Sequence, residues 1–215
     1  ILMLRGVLPG NPEGLPGLTW DLAFNTAASF VTNTNWQAYS GESALSYFSQ
    51  AIGLTVQNFV TPAVGMAVLF ALFRGLVSEG GPGLGNFFVD ATRAVLFVLI
   101  PLALVVTVVD VWQGSPQNVS EYQEVQLLEP VGIDSEGEVV EADDPAAVQV
   151  IDEGVVPMGP QASQVAIKQL GTNGGGYNGV NSASALENPT PLTNLVQCIS
   201  LLLIPFALVF SFGRF

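Results

Sequence analysis

The residues best placed to do chemistry carry no charge. Gly171-Thr172-Asn173-Gly174-Gly175-Gly176 is a run with neither an apolar nor an ionisable side chain, and Thr32-Asn33-Thr34-Asn35-Trp36-Gln37 is a second run rich in hydroxyls and amides. What such runs offer a ligand is oxygen, from main-chain carbonyls and side-chain amides. Glycine reaches backbone angles that other residues avoid, so three in succession can turn their carbonyls one way at little steric cost. A ring of carbonyls is how a pore replaces the water around a potassium ion. Phosphate binding through glycine amides predicts a Lys followed by Ser or Thr after the glycines, and a strand before them. Here Lys168 comes before the run and no strand precedes it. The lack of histidine removes Ser-His-Asp and Cys-His chemistry and most zinc sites. Cys198, the single cysteine, lies in an apolar run and reads as a small buried side chain.

Irregular main chain is tolerated at membrane depth only where protein buries it or where it lines a watery path. The rest of the sequence is that of a membrane chain. Of 215 residues 49% are hydrophobic and 11% charged, and the mean hydropathy of +0.49 is too high for an ordinary soluble domain. The net charge of -13 is concentrated: eleven of the eighteen acids lie between Glu121 and Glu153, where there is no Lys or Arg. Ile1-Leu2-Met3-Leu4-Arg5 runs into prolines and glycines and not into a cleavage site, so no signal peptide is read. Ser211-Phe212-Gly213-Arg214-Phe215 stops where a helix would leave the bilayer, so the chain reads as a fragment of something larger.

Two helices are too short to cross a bilayer, which takes about twenty residues. One covers 19–31, with Thr19 as its cap and Asp21 at its positive end. The other covers 161–170. Each leads into a polar run, the filter candidates 32–37 and 171–176. Three stretches are long enough to span: 44–73, 90–112 and 192–212. In the first, Ser46, Gln50, Gly53, Gln57 and Thr61 recur at helical spacing, a polar stripe that either lines a pore or makes interhelical hydrogen bonds. Pro101 predicts a kink in the second. Arg74 and Arg93 flank the glycine-rich loop 75–87, which places that loop in the cytoplasm and the acidic segment 113–160 outside. The acidic segment reads as a solvated linker, with attraction of cations to an outer mouth as the other reading. A hairpin of short strands around Val125 to Leu128 and Val148 to Ile151 fits its valine-rich pattern. The expected fold class is an all-α integral membrane protein.

Sliding the chain by 140 residues brings Thr32-Asn33 onto Thr172-Asn173, Val56-Gln57 onto Val196-Gln197, and Arg74 onto Arg214, while an alternative pairing of the two polar runs, one place different, sets Asn35 opposite Gly174. The order of parts also repeats: short helix, polar run, polar turn, long helix, arginine. Two units follow, 1–77 and 78–215, with the first spanning helix of the first unit expected upstream. Spanning helix, half-helix with filter loop, and spanning helix is the plan of potassium channels. The carboxyl end of each half-helix, with a partial charge of roughly -0.5, then helps to hold a cation without any acid in the filter.

Several stretches resemble the KdpA family, the potassium-binding subunits of bacterial and archaeal Kdp-type ATPases. They are Phe24-Asn25-Thr26-Ala27, Phe30 to Gln37, Tyr39-Ser40-Gly41-Glu42, Leu54 to Val60, Gly85-Asn86-Phe87, Leu170 to Gly176 and Glu187-Asn188-Pro189-Thr190-Pro191-Leu192. The resemblance implies four pore-loop repeats in one polypeptide, of which this chain holds the first two. It implies a first filter at Asn33, Thr34 and Asn35 with Gln37 close by, and a second at Thr172, Asn173 and Gly174. K+ is then the transported ion, and ATP is bound by a separate P-type ATPase catalytic subunit and not by this chain. Small accessory subunits and membrane lipid are the other implied partners, with no nucleic acid, in the prokaryotic plasma (inner) membrane. The chain has no Asp-Lys-Thr-Gly aspartate and no Walker lysine, so it is expected to be a transport subunit and not an enzyme. Tyr177-Asn178-Gly179-Val180 and Ser184-Ala185-Leu186 depart from the family's commonest pattern, which has bulkier groups there. An ATP-independent channel or symporter of the same superfamily, and a non-conducting scaffold, are the competing readings.

Overall fold

The computed structural model describes residues 1–77, 83–179 and 181–214. Among the described residues three helices are long and apolar enough to cross a membrane: α3 (Ser49–Val77), α4 (Phe87–Trp112) and α6 (Pro191–Phe212). Two shorter ones, α1 (Trp20–Val31) and α5 (Gln161–Leu170), each run into a polar loop. A single turn, α2 (Gly41–Ala44), lies between α1 and α3.

Local chemistry sets the helix boundaries. Thr19 stands at the N-cap of α1, but its side chain makes no capping bond. Its hydroxyl goes to the Asp21 carboxyl instead and holds that group below the usual carboxylate range. The first spanning helix starts later than the expected Ala44, because Leu45 is extended and ends α2. The Ser46 hydroxyl then accepts from the Ser49 amide at 3.3 Å and opens the long helix. α3 runs on past Arg74, whose guanidinium meets Asp90 of α4 at 2.5 Å. Residues 78–82 of the expected loop 75–87, and Val180, lie outside the described residues. α4 begins at Phe87 because the Asn86 side chain accepts from the Val89 amide at 3.1 Å. In α4, Pro101 follows a π-helical stretch, Val95–Leu99, whose wider turn relieves the clash between the ring and the carbonyl one turn back. At the start of α6, Thr190 and Thr193 form a reciprocal capping box, and Pro191 takes the first helical position.

Nine of the ten residues of α5 are buried, as expected of a helix surrounded by others. Its Ala166 and Leu170 join Ala63 and Met66 of α3, Leu99 and Ala103 of α4 and Ile204 of α6 in one core. A second cluster joins Leu2 and Leu18 to Ala23 and Phe30 of α1 and to Leu54 of α3. The outer faces of the spanning helices stay apolar and exposed, with Phe97 at 74% and Val108 at 68%. Cys198, expected to be buried, is exposed. It shares the outward face of α6 with exposed Leu195 and Leu202, three and four residues away.

The acidic segment corrects the expectation of an all-α chain. It forms a three-stranded antiparallel sheet, β1 (Gln123–Ile133), β2 (Val139–Glu141) and β3 (Gln149–Val156), in the order β2-β1-β3. Valines interleaved with acids suit a pleated, largely solvated ribbon better than a helix. The β1–β3 register shifts between Gln126 and Val131, where Pro130 has no N–H to give the ladder. Residues Ser120–Met158 make one compact unit, and Ile1–Val119 with Gly159–Phe215 make the other. The larger unit closes its own border: the Asn118 amide donates to the Gly159 carbonyl, and the Gly159 amide to Asn118 Oδ1, both at 3.1 Å. Replacing residues 120–158 with a short Gly-Ser linker is therefore expected to leave the helical unit folded. The measurement is the thermal unfolding midpoint in detergent, and a drop of many degrees would contradict this.

Candidate functional site: two polar loops that meet

α1 and α5 end in the same way. After α1, the amides of Thr34 and Asn35 both donate to the Ser29 carbonyl, at 3.0 and 3.2 Å, and the Asn33 amide donates to Phe30 at 3.3 Å. After α5, the Thr172 amide donates to Gln169 at 3.1 Å and the Asn173 amide to Lys168 at 3.0 Å. Each reversal passes through a left-handed residue, Asn33 with φ 63° and Thr172 with φ 56°. Two places on, Asn35 at 52° and Gly174 at 71° repeat the conformation. These correspondences run at an offset of 139, against 140 for Val56-Gln57 and Val196-Gln197. Asn35 thus corresponds to Gly174, and the second unit has one more residue between its loop and its long helix.

The carbonyl directions follow from peptide geometry. In a trans peptide the C=O of one residue points opposite to the N–H of the next, and no cis bond occurs among the described residues. Turning the amides of Thr34 and Asn35 onto the end of α1 therefore turns the carbonyls of Asn33 and Thr34 away from it. The amides of Thr172 and Asn173 do the same for the carbonyls of Gly171 and Thr172. A left-handed β-branched residue is disfavoured by about 1–2 kcal/mol, so Thr172 is held there by the bonds around it.

The two loops lie against each other. Asn173 Nδ2 donates to Asn33 Oδ1 and, at 3.0 Å, to Thr61 Oγ1 of α3, which itself donates to Asn33 Oδ1 at 2.6 Å. Asn35 Nδ2 donates to the Gly174 carbonyl at 3.3 Å and to Asn58 Oδ1 at 2.7 Å. Gln37 clamps Gly176 with both ends of its amide, donating to the carbonyl at 3.0 Å and accepting from the N–H at 2.8 Å. A Cβ on Gly175 would sit 2.9 Å from the Asn35 carbonyl oxygen, so only glycine lets the loops come this close. Gln37 Nε2 also donates to the Tyr39 hydroxyl at 3.3 Å, which burial pushes up to about 12. Of the residues that the sequence marked, Asn33, Asn35, Gln37, Asn173 and Gly174 meet across the loops. Thr172 contributes its backbone turn. Thr34 is exposed, and its hydroxyl lies 3.0 Å from that of Thr32.

The polar stripe of α3 faces protein, but with a shifted phase. Ser49–Thr55 is π-helical, and a wider turn moves the inward face on by five residues in place of four. The inward set is therefore Ser46, Gln50, Thr55, Asn58 and Thr61, and not the expected line through Gly53 and Gln57. Gln50 donates to the Tyr177 carbonyl at 2.9 Å and accepts from Gln164 of α5 at 3.0 Å, and Thr55 donates to Gln164 Oε1 at 3.0 Å. The stripe ties the first unit to the half-helix and loop of the second.

Sequence reasoning missed the charged group behind the second loop. Lys168 Nζ meets Glu187 Oε2 at 2.5 Å, with side chains 1% and 0% exposed. Glu187 Oε1 accepts from the Asn178 amide at 2.7 Å, and Oε2 accepts from the Ser182 hydroxyl at 3.2 Å. Gln197 of α6 donates to the Glu187 carbonyl at 2.9 Å and accepts from Gln169 at 3.2 Å. Asp110 of α4 is buried as well. A signal was available: a lone lysine in a half-helix at membrane depth needs an acid. Asp110 and Glu187 both qualified, and spacing did not choose between them.

Fold and site together define an integral membrane protein with three membrane-capable helices and two half-helices whose uncharged loops meet. The family model described as "KdpA: Potassium-transporting ATPase A subunit" matches residues 1–215, and the chain belongs to that family. A relative from Clostridium botulinum, named "Potassium-transporting ATPase potassium-binding subunit", is 58% identical over 214 residues, covering 100% of this chain and 35% of the relative. Relatives of the same name from Desulfovibrio desulfuricans and Pseudomonas syringae pv. tomato are 58% and 54% identical, covering 99% and 100% of this chain and 34% of each relative. The chain spans about a third of the length of the curated relatives it matches.

Gln37→Ala removes both bonds to Gly176 and leaves its amide unpaired, which is expected to destabilise the protein by about 1–3 kcal/mol. Hydrogen exchange at the Gly176 amide should accelerate while exchange in α4 stays unchanged. Equal exchange at Gly176 in both proteins would show that Gln37 does not hold it.

Proposed function

We propose that this chain supplies two filter units of the potassium-binding, potassium-translocating subunit of an ATP-driven uptake complex in a prokaryotic plasma membrane. The observation that carries the reading is the paired loop reversal. Two half-helices take the loop amides onto their carboxyl ends and leave the carbonyls of Asn33, Thr34, Gly171 and Thr172 directed away. Neutral oxygens of this kind exchange for the water of a monovalent cation, and the partial negative charge at each helix end favours the ion. Asn35, Gln37 and Asn173 act as struts between the loops, so their role in binding is to set the spacing of the carbonyls. The names of the relatives support potassium as the ion and a complex with an ATPase.

In this reading the acidic unit 120–158 stands on the outer side, because Arg74 and Arg93 belong to the cytoplasmic ends of α3 and α4. Nucleotide binding and hydrolysis belong to a separate P-type ATPase subunit, accompanied by small accessory subunits. No nucleic acid takes part.

The test uses the full-length protein in its complex, reconstituted in vesicles. Uptake of K+ is expected to stop when ATP is withheld, whereas flux without nucleotide would favour a channel. Gly174→Asp puts a carboxylate on a backbone turn with φ 71°. It is expected to raise the K+ concentration for half-maximal uptake by about tenfold or more, the equivalent of about 1.4 kcal/mol. An unchanged value in an assembled complex would sink the filter reading and leave a scaffold.

A further inference from the structure

At the offset of 139 that relates the two loops, Lys168 takes the place of Ser29. The main-chain oxygen at this place accepts loop amides in both units, from Thr34 and Asn35 in the first and from Asn173 in the second. The side chain at this place also reaches the far end of its loop in both units, by different chemistry. Ser29 does so directly, its hydroxyl donating to the Trp36 carbonyl at 2.8 Å. Lys168 does so through Glu187: Nζ donates to Oε2 at 2.5 Å, and Oε1 accepts from the Asn178 amide at 2.7 Å. One carboxylate therefore holds the second loop from both sides, at Lys168 before it and at Asn178 after it.

We propose that Lys168 and Glu187 are positioning residues that set the ion selectivity of the second loop, an inference that rests on the cation-coordinating reading above. Stability alone is a poor reason for such a pair. The desolvation of two buried charges offsets much of their attraction, and neutral side chains of the same shape often serve as well. What the pair adds is direction. A carboxylate bonded to an ammonium, an amide and the Ser182 hydroxyl has little freedom to move, and Gln169 and Gln197 brace the same group from α5 and α6. The distance between the two anchors, and hence the spread of the carbonyls between them, is set by these bonds. A change in that spread alters the fit of one alkali ion relative to its neighbours in size.

The experiment measures ATPase activity of the intact complex, built with the full-length protein, as a function of K+ and of Rb+, the next larger alkali ion. The variant is the double substitution Lys168→Met with Glu187→Gln, which removes both charges and keeps the volumes. The complex is expected to assemble, with half-saturation by K+ raised and the Rb+/K+ ratio of half-saturating concentrations relaxed, on the order of tenfold. An assembled double variant with an unchanged ratio overturns the proposal and leaves the pair a structural one. If the double variant does not assemble, Ser182→Ala, which removes one donor to Glu187 and no charge, is read for the same ratio. A shift in the same direction supports the proposal; an unchanged ratio, or failure of both variants to assemble, overturns it. Gly174→Asp run alongside separates the two readings. If it too leaves K+ half-saturation unchanged, the filter reading has failed. If it shifts K+ while the pair variants leave the ratio unmoved, only the positioning role falls.

Discussion

A main-chain N–H without a partner in an apolar medium costs several kcal/mol, and the two polar loops are shaped by that constraint. Neither loop continues its helix or joins a sheet, so its amides need acceptors close by. They find them in the last carbonyls of the half-helix just left, at Ser29 and Phe30 in one unit and at Lys168 and Gln169 in the other. Because a peptide carries its two polar groups on opposite sides, satisfying the donors in this way aims the acceptors outward. An oxygen-lined face thus arises from the way the helices end, with no charged group added for the purpose.

Charge is kept out of the loops and placed behind them. The residues from Thr32 to Gln37 and from Gly171 to Gly176 are neutral, while Lys168, Glu187 and Asp110 are buried close to the second loop. Arg74 and Asp90 pair at one end of the spanning helices. Eleven acids lie between Glu121 and Glu153, in the compact unit that carries the sheet. Neutral oxygens bind a monovalent cation loosely enough to release it, and a carboxylate among them would hold it longer.

The units repeat their backbone more faithfully than their side chains. Asn33 and Thr172 share a conformation that is ordinary for asparagine and strained for threonine. Ser29 and Lys168 share a position and solve the same closure by a hydroxyl and by an ion pair. The offset changes by one residue between loop and helix, which accounts for the few identities found by a single shift. In α3 the π-helical stretch Ser49–Thr55 turns Asn58 inward, toward Asn35.

Much of the architecture is local and could be read from the chain. Half-helices end where apolar spacing gives way to glycine, threonine and asparagine. Spanning helices announce themselves by about twenty apolar residues, and the last one's start by Thr190 and Pro191, whereas the cap at Asn86 starts the second at Phe87 and not at the expected 90. In the acidic segment the valine pattern gave strands around Val125 to Leu128 and Val148 to Ile151, where β1 and β3 pair, but not the third strand or the register, because strand pairing depends on partners that lie far apart in sequence. The neutrality of both loops was also decided by composition alone. Tertiary structure decided which amide faces which: Asn35 with Gly174, Gln37 with Gly176, and Lys168 with Glu187 in preference to Asp110. Such choices join residues up to 140 places apart. They depend on a turn of helix added or lost between them, and no local pattern of side chains records that.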